Sequence, residues 1–377
     1  RKNVMEIKSL HSSPVDFPKA RRNVEEMTTY SAPLENRRGM LRLDFNENTI
    51  GPSPKVIKAI KSIPSHEIAV YPEYNGLKKA IADNLNAHNP YRMVQPVDIG
   101  IFNGVDAAIH AVFHSYGNYG DQLLTTCPTF GYYTPCAVMQ GMKINAIPYQ
   151  KSNFEFPYEE IYKELLKHNT KLLLICNPNN PTGTKITPAQ VTELAKIAPE
   201  TLVVVDELYE AFTGDSVLPY INFSEIPNLL VLRSLSKTAG LAGLRIGFAI
   251  GYSEVVDRVT RVTGPYDVNM FAVTAAFAAL EDQVYVDNYV SEVLKAKEWL
   301  TIKLKEYGIR HHIDGGNYFL IWPKHSPEEI TQKLKSKGIL VRSMSGKLLI
   351  EKSIRVSIGT LPQMKEFIRV FNQIDNV

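Results

Sequence analysis

The residues of this chain best suited to chemistry lie between Leu229 and Gly251, in LLVLRSLSKTAGLAGLRIGFAIG. Two apolar runs flank a short polar loop, and that loop holds one lysine, Lys237, among hydroxyls. Burying an unpaired ammonium is costly and lowers its pKa, so a lysine set between two strand cores is a nucleophilic amine in the making. Ser234 and Ser236 before it and Arg245 after it add hydroxyl donors and a fixed cation, the parts of a phosphate seat. An amine beside a phosphate seat suits a Schiff base with pyridoxal phosphate (PLP). Taken alone, the loop fits an exposed lysine equally well.

Four more loops carry unusual residues directly after apolar runs. LLLIC is followed by NPNNPTG, residues 177–183, too polar and too rich in turn formers for a core. VVV is followed by DELY, which puts Asp206 and Tyr209 just past a buried strand. IGIF leads into NGVD, a turn at Gly104 into a helix whose first amides, those of Val105 and Asp106, could hold an anion. LLTT leads into CPTFG, with Phe130 on a turn.

The elements that must position these loops alternate strand and helix. Strands are expected over residues 99–102, 122–126, 143–147, 171–176, 202–205, 229–232 and 246–250, with helices between most of them, such as 106–114 and 188–197. Near-continuous apolar strands imply burial on both faces, hence a mainly parallel sheet with helices on each side. Ligands of such sheets bind beyond the strand ends, in the loops. An earlier strand is expected over 41–45, then a helix from Ser53-Pro54 through residue 60 and another over 77–85. Long helical patterns run from 271 to 307, amphipathic from 292 onward. The chain then alternates again: strand 318–322, helix 327–337, strands 339–342 and 354–358, and a last helix from Pro362. That is a small α+β unit. Residues 1 to about 19 show no periodicity and read as a mobile arm.

Length and composition narrow the class. A chain of 377 residues makes two domains of unequal size. The net charge of +3, with no dense Lys and Arg tract, gives no reason to invoke nucleic acid. The longest apolar stretches, such as 272–280, fall short of the roughly 20 residues that span a bilayer, so no membrane segment is expected. The opening RKNVMEIKSLHSSP lacks an apolar stretch, which argues against a secretory signal. Cys127, Cys136 and Cys176 are odd in number and lack metal-ligand spacing; they read as reduced and structural, in keeping with the cytoplasm, and no metal site is expected. His110, His114, His311 and His312 show no partner pattern.

Taken in order, these loops resemble those of the fold-type I PLP-dependent aminotransferases, and within them the histidinol-phosphate aminotransferase family. The likeness covers nearly the whole chain from about Ala20, and SLSKTAGLAGLR together with NPNNPTG carries it. It implies a fold-type I PLP-transferase of α/β class: a large domain (71–270) with a mainly parallel seven-stranded sheet, a small α+β domain (41–70 and 271–377) and an N-terminal arm (1–40). The same resemblance assigns roles. Lys237 would form the Schiff base and move the proton between the substrate carbon and the cofactor. Asp206 would pair with the pyridinium nitrogen and keep it protonated, which makes the ring an electron sink. Asn180 and Tyr209 would hydrogen-bond the phenolic oxygen, and Phe130 would stack on the ring. Ser234, Ser236, Arg245 and the amides after Gly104, those of Val105 and Asp106, would hold the phosphate. Tyr71, in VYP, would reach the phosphate from the neighbouring subunit, so the resemblance implies a homodimer with composite sites.

For substrate, the resemblance points to Arg355 in IRVSIGT, Arg342 thirteen residues before it, Tyr30, which in relatives contacts substrate in the other subunit, and Asn46 with Glu47. It implies an amino donor and a 2-oxo acid, with histidinol phosphate and 2-oxoglutarate as the default pair. The chain departs from the family at Ala107, at Leu208, Glu210 and Ala211 in DELYEAF, and at Asp267, where relatives carry asparagine. Asp267 and Glu210 add carboxylates, so a PLP-dependent, oxygen-using oxidase or deaminase of a cationic amino acid such as L-arginine is the alternative. A PLP-binding regulatory protein without turnover is a further one. Asp267 otherwise reads as a cap for the helix that starts at Met270.

Overall fold

The computed structural model describes residues 16–87 and 93–376. Of the arm expected over residues 1 to about 19, residues 1–15 lie outside the described part.

The apolar runs form one seven-stranded sheet in the order Ile99–Phe102, Gly247–Gly251, Leu229–Ser234, Leu202–Asp206, Thr170–Cys176, Gln122–Cys127, Lys143–Pro148. Six strands run parallel to one another, and Gly247–Gly251 is antiparallel to both its neighbours. Burial explains the sequence pattern: on Thr170–Cys176, Leu173 and Ile175 enter one core and Leu172 and Leu174 the core on the opposite face. The antiparallel strand has a chemical consequence. Gly247 pairs with Phe102 on one side and Ser234 on the other, so the chain enters this strand at the edge where its parallel neighbours leave. Arg245, just upstream, therefore lies beside the loops after Phe102 and Ser234.

A second apolar core lies under a four-stranded sheet, ordered Arg342–Ser343, Ile354–Ser357, Tyr318–Ile321, His311–His312 and antiparallel throughout. Helix Gln283–Glu306 docks on it through Val293, Ala296, Leu300 and Leu304, the three-and-four spacing of one helical face. Helix Met270–Glu281 buries alanines on several sides and joins the core of the larger sheet, as does Val56 of helix Pro54–Lys61, which Ser53 caps. No helix among the described residues is long and apolar enough to cross a membrane.

Two expected strands change shape, and both changes serve the site. The strand expected over 41–45 stops at Arg42, pairing only as Leu41–Arg42 with Ile339–Leu340. Beyond it the backbone turns through Asn46 in the left-handed region (φ 57°), a conformation asparagine tolerates. The strand expected over 339–342 breaks at Val341: Ile339–Leu340 joins the two-stranded pair, and Arg342–Ser343 joins the four-stranded sheet beside Arg355.

Candidate active site

The five loops singled out above meet at one end of the large sheet, around a cavity of about 580 Å³ that faces the smaller sheet. Lys237 lies half-buried on its wall and donates a hydrogen bond from Nζ to the Phe45 carbonyl at 2.6 Å. Burial, reinforced by the positive charge of Arg355, lowers its pKa from 10.5 to about 8. The amine is thus partly neutral near physiological pH, as the sequence reading required.

The anion seat is built from backbone as much as from side chains. Ser234 Oγ donates to Ser236 Oγ at 2.9 Å and accepts from the Ser236 amide at 2.9 Å, which folds the loop into a concave turn. Helix Val105–Tyr116 begins here, with Val105 and Asp106 on the cavity wall. Arg245 lies across this helix start with Nη2 3.4 Å from an Asp106 carboxylate oxygen. Gly104 makes the approach possible: its φ is +82°, and a Cβ there would fall 2.4 Å from an Arg245 terminal nitrogen. These groups fit a phosphate: two hydroxyls, a guanidinium and helix-start amides at one end of a cavity that holds an amine.

Asp206 differs from the other expected contacts because it lies below the cavity surface, 3% exposed. One carboxylate oxygen accepts from the Tyr133 hydroxyl at 2.6 Å and the other from the Leu208 amide at 3.2 Å. Burial pushes this carboxyl up to about 6, against the pull of those two donors. Tyr209 accepts at its hydroxyl from Asn46 Nδ2 at 3.2 Å and Asn180 Nδ2 at 3.3 Å, while burial holds its own pKa well above the ordinary value. Phe130 packs edge-on against Tyr133 (centroids 5.5 Å apart, 83°), so one tyrosine steadies both the ring and the carboxylate.

The smaller sheet supplies cations. Arg355 donates to Asn180 Oδ1 at 2.8 Å and to the Asp44 carbonyl at 2.5 Å, leaving its Nε buried without a partner. Arg342 lies over the Phe45 ring, 5.2 Å from its centroid. Asn46 joins the two halves: its amide donates to Ser357 Oγ at 2.9 Å, and its carbonyl accepts from Asn317.

The remaining expected residues take different places. Tyr30 lines this chain's own cavity, edge-on to Phe130 at 6.3 Å, and needs no partner to reach it. Tyr71, expected at a neighbouring subunit's site, does not line this chain's own cavity; it is 69% exposed and stacks on Tyr266, centroids 4.0 Å apart. Asp267 is exposed and away from the cavity, and the cap of helix Met270–Glu281 is Asn269, whose side chain accepts from the Ala272 amide at 2.8 Å. Glu210 pairs with Arg233 Nη1 at 2.8 Å on the wall of a separate cavity. Neither added carboxylate faces Lys237 within this chain.

Three residues of the site went unread in the sequence. Tyr133 opens helix Tyr133–Gln140 three positions after Phe130, and that spacing was its only signal. Arg37 is held by Asp44 and Glu47 and covers Phe45 from 4.2 Å. Lys347 reaches the wall from a loop of the smaller sheet, and nothing in the local sequence marks it.

The family model for aminotransferase class I and II matches residues 38–371. Among curated relatives, the histidinol-phosphate aminotransferase of Moorella thermoacetica is 31% identical, covering 89% of this chain and 85% of the relative. That of Caldicellulosiruptor saccharolyticus is 34% identical, covering 89% and 92%. Among solved structures, the Sinorhizobium meliloti histidinol-phosphate aminotransferase in complex with pyridoxal-5'-phosphate superposes with a TM-score of 0.84 at 22% identity, covering 96% of this chain and 98% of that one.

Proposed function

This chain belongs to the class I and II aminotransferases and is a PLP-dependent enzyme of fold type I, and we propose that it moves the amino group of histidinol phosphate to 2-oxoglutarate. The observation that carries the substrate reading is the charge of the cavity wall. Its two lining carboxylates are engaged: Glu47 by Arg37 and Asp106 by Arg245. Arg342, Lys347 and Arg355 line the same cavity with no carboxylate partner among the described residues. An anionic substrate relieves that excess, whereas the side chain of L-arginine would add to it. The oxidase alternative loses its footing in this chain's own cavity for that reason.

PLP, when bound, supplies the electron sink that stabilises negative charge on the substrate's amino carbon. The chain does the rest. Lys237 would attach the cofactor and, with its amine kept partly neutral by burial, could take the proton from the substrate's amino carbon and later give it back. Asp206, buried just below the cavity wall, would hold the ring nitrogen protonated, and Tyr209 with Asn180 would hold the phenolic oxygen. Ser234, Ser236, Arg245 and the amides of Val105 and Asp106 would hold the phosphate, and Phe130 would cover the ring. Arg355 and Arg342 orient the substrate's anionic end.

A division of labour between two units accompanies this reading: the large sheet carries the cofactor and the smaller one the substrate cations. We also assign the working form to a homodimer. The exposed Tyr71–Tyr266 pair, with Ile68 and Val70 exposed beside Tyr71, supports a partner subunit that takes Tyr71 into its phosphate seat. The three free cysteines accord with a cytoplasmic protein. The test is an incubation of the PLP-loaded protein with histidinol phosphate and 2-oxoglutarate. Glutamate should form in step with donor consumed; oxygen uptake with peroxide in place of glutamate would overturn the proposal.

A further inference from the structure

Arg355 and Arg342 answer to one anionic group, and beside them the cavity wall carries Lys347, a further cation with no carboxylate partner among the described residues. Lys347 is half-buried on the wall beside Phe130 and Gly131. The ammonium stands against Gly131, where a Cβ would fall 3.3 Å from Lys347 Nζ and 2.9 Å from the Tyr30 ring. Any larger residue would push the ammonium or the tyrosine away. No side chain among the described residues takes a hydrogen bond or ion pair from Nζ. Its surroundings on balance oppose its charge: burial and the neighbouring Arg342 and Arg355 lower its pKa, and only Cys127 pulls the other way. A cation held against such a field is stabilised when an anion arrives among the three.

The kind of anion follows from the count. A carboxylate carries one charge and matches the planar fork of a single arginine. A phosphate monoester carries about −1.5 to −2 at neutral pH and offers three acceptor oxygens. A point-charge ammonium set beside an arginine suits the second charge and the third oxygen.

Resting on the reading that this cavity takes a phosphorylated amino donor, we propose that Lys347 is a specificity-determining residue: with Arg342 it binds the second negative charge of the donor's phosphate and so selects the phosphorylated donor over the same amine without phosphate. The selection comes from the Lys347 ammonium standing in the cavity wall beside Gly131, and it operates in the binding of donor, not in the proton transfer at Lys237.

The experiment uses PLP-loaded protein with 2-oxoglutarate as acceptor and compares histidinol phosphate with histidinol. The quantity read is the ratio of their kcat/KM values. In Lys347→Met, which keeps length and loses charge, that ratio should fall about 30-fold, within the range for one hydrogen bond to a charged group, and mainly through KM for the phosphorylated donor. Lys347→Arg should restore most of it. An unchanged ratio in Lys347→Met, or an equal loss for both donors, overturns the proposal. A second measurement separates it from the substrate reading: calorimetric titration of the PLP-loaded protein with methyl phosphate. If the unmodified protein turns over neither donor, the substrate reading fails, yet Lys347→Met should still bind methyl phosphate at least tenfold more weakly. Equal affinity overturns the role of Lys347 by itself. Should Lys347→Met not fold, Lys347→Gln serves in both measurements.

Discussion

Replacing Tyr133 with phenylalanine removes one hydroxyl from behind Asp206 and leaves the ring that steadies Phe130. Asp206 is 3% exposed, and burial raises its carboxyl from 3.8 to about 6. The groups around it are the Tyr133 hydroxyl and Leu208 amide, which favour the carboxylate, and Asp106 and Glu207, whose charges oppose it; Cys176 and Tyr209 lie close by with raised pKa values of their own. A hydrogen bond to a charged group contributes about 1.5–3 kcal/mol. At about 1.4 kcal/mol per pKa unit, losing the 2.6 Å bond from Tyr133 should raise Asp206 by a further one to two units. At pH 7 the carboxyl would go from about nine-tenths ionised to half or less. The folded pKa lies above the unfolded one, so the stability this group contributes is fully present below pH 3.8 and is lost as pH rises through about 6. In Tyr133→Phe the loss should continue to about pH 8, opening a gap of roughly 1.5–3 kcal/mol between the two apoproteins from pH 6 to 8. Infrared titration of the apoprotein, with Asp206→Asn subtracted to isolate the band, reads the midpoint directly, and urea unfolding at pH 5 and pH 8 reads the gap. A midpoint that stays near 6 in Tyr133→Phe would refute the reasoning.

Other outcomes follow from the same geometry. Borohydride reduction of the PLP-loaded protein and peptide mapping should place the label on Lys237; Lys347 lines the same cavity, so a label there would reassign the nucleophile. Asp206→Ala should still bind PLP but slow the first half of the reaction by several orders of magnitude in single-turnover kinetics, each ~1.4 kcal/mol of lost stabilisation being a factor of ten; near-normal rates would remove Asp206 from the chemistry. Gly104→Ala should weaken PLP binding at least tenfold in a fluorescence titration, because its Cβ collides with Arg245 and a positive φ is lost to strain. Asp267→Asn should leave the thermal midpoint unchanged, since Asn269 caps the helix, whereas Asn269→Ala should cost about 1 kcal/mol; a drop in Tm for Asp267→Asn alone would restore the cap to Asp267.

The sequence by itself determined the sheet and the five loops after its strands. Runs such as LLLIC and LVVV can only be buried on both faces, so a layered α/β fold follows from composition and order. Lys237, Asp206, Tyr209, Asn180 and Phe130 were legible because each follows such a run, and parallel strands deliver their C-terminal loops to one edge. Ser234, Ser236 and Arg245 were legible because they bracket the lysine within one short segment. Tertiary structure decided what depends on distant segments meeting. The cationic wall needs the break at Val341, which turns Arg342 into register with Arg355. The Phe45 carbonyl meets Lys237 only because the chain leaves its strand after Arg42 and bends at Asn46. Tyr133 and Lys347 were missed because their local signals are weak or lacking; Tyr133 acts through a carboxylate 73 positions away, and Lys347 stands against a glycine on another loop. The carboxylates that set this chain apart locally, Asp267 and Glu210, suggested a cationic substrate. Folding sends one to the surface and the other to Arg233, because a side chain's charge says nothing of which way its backbone will turn it.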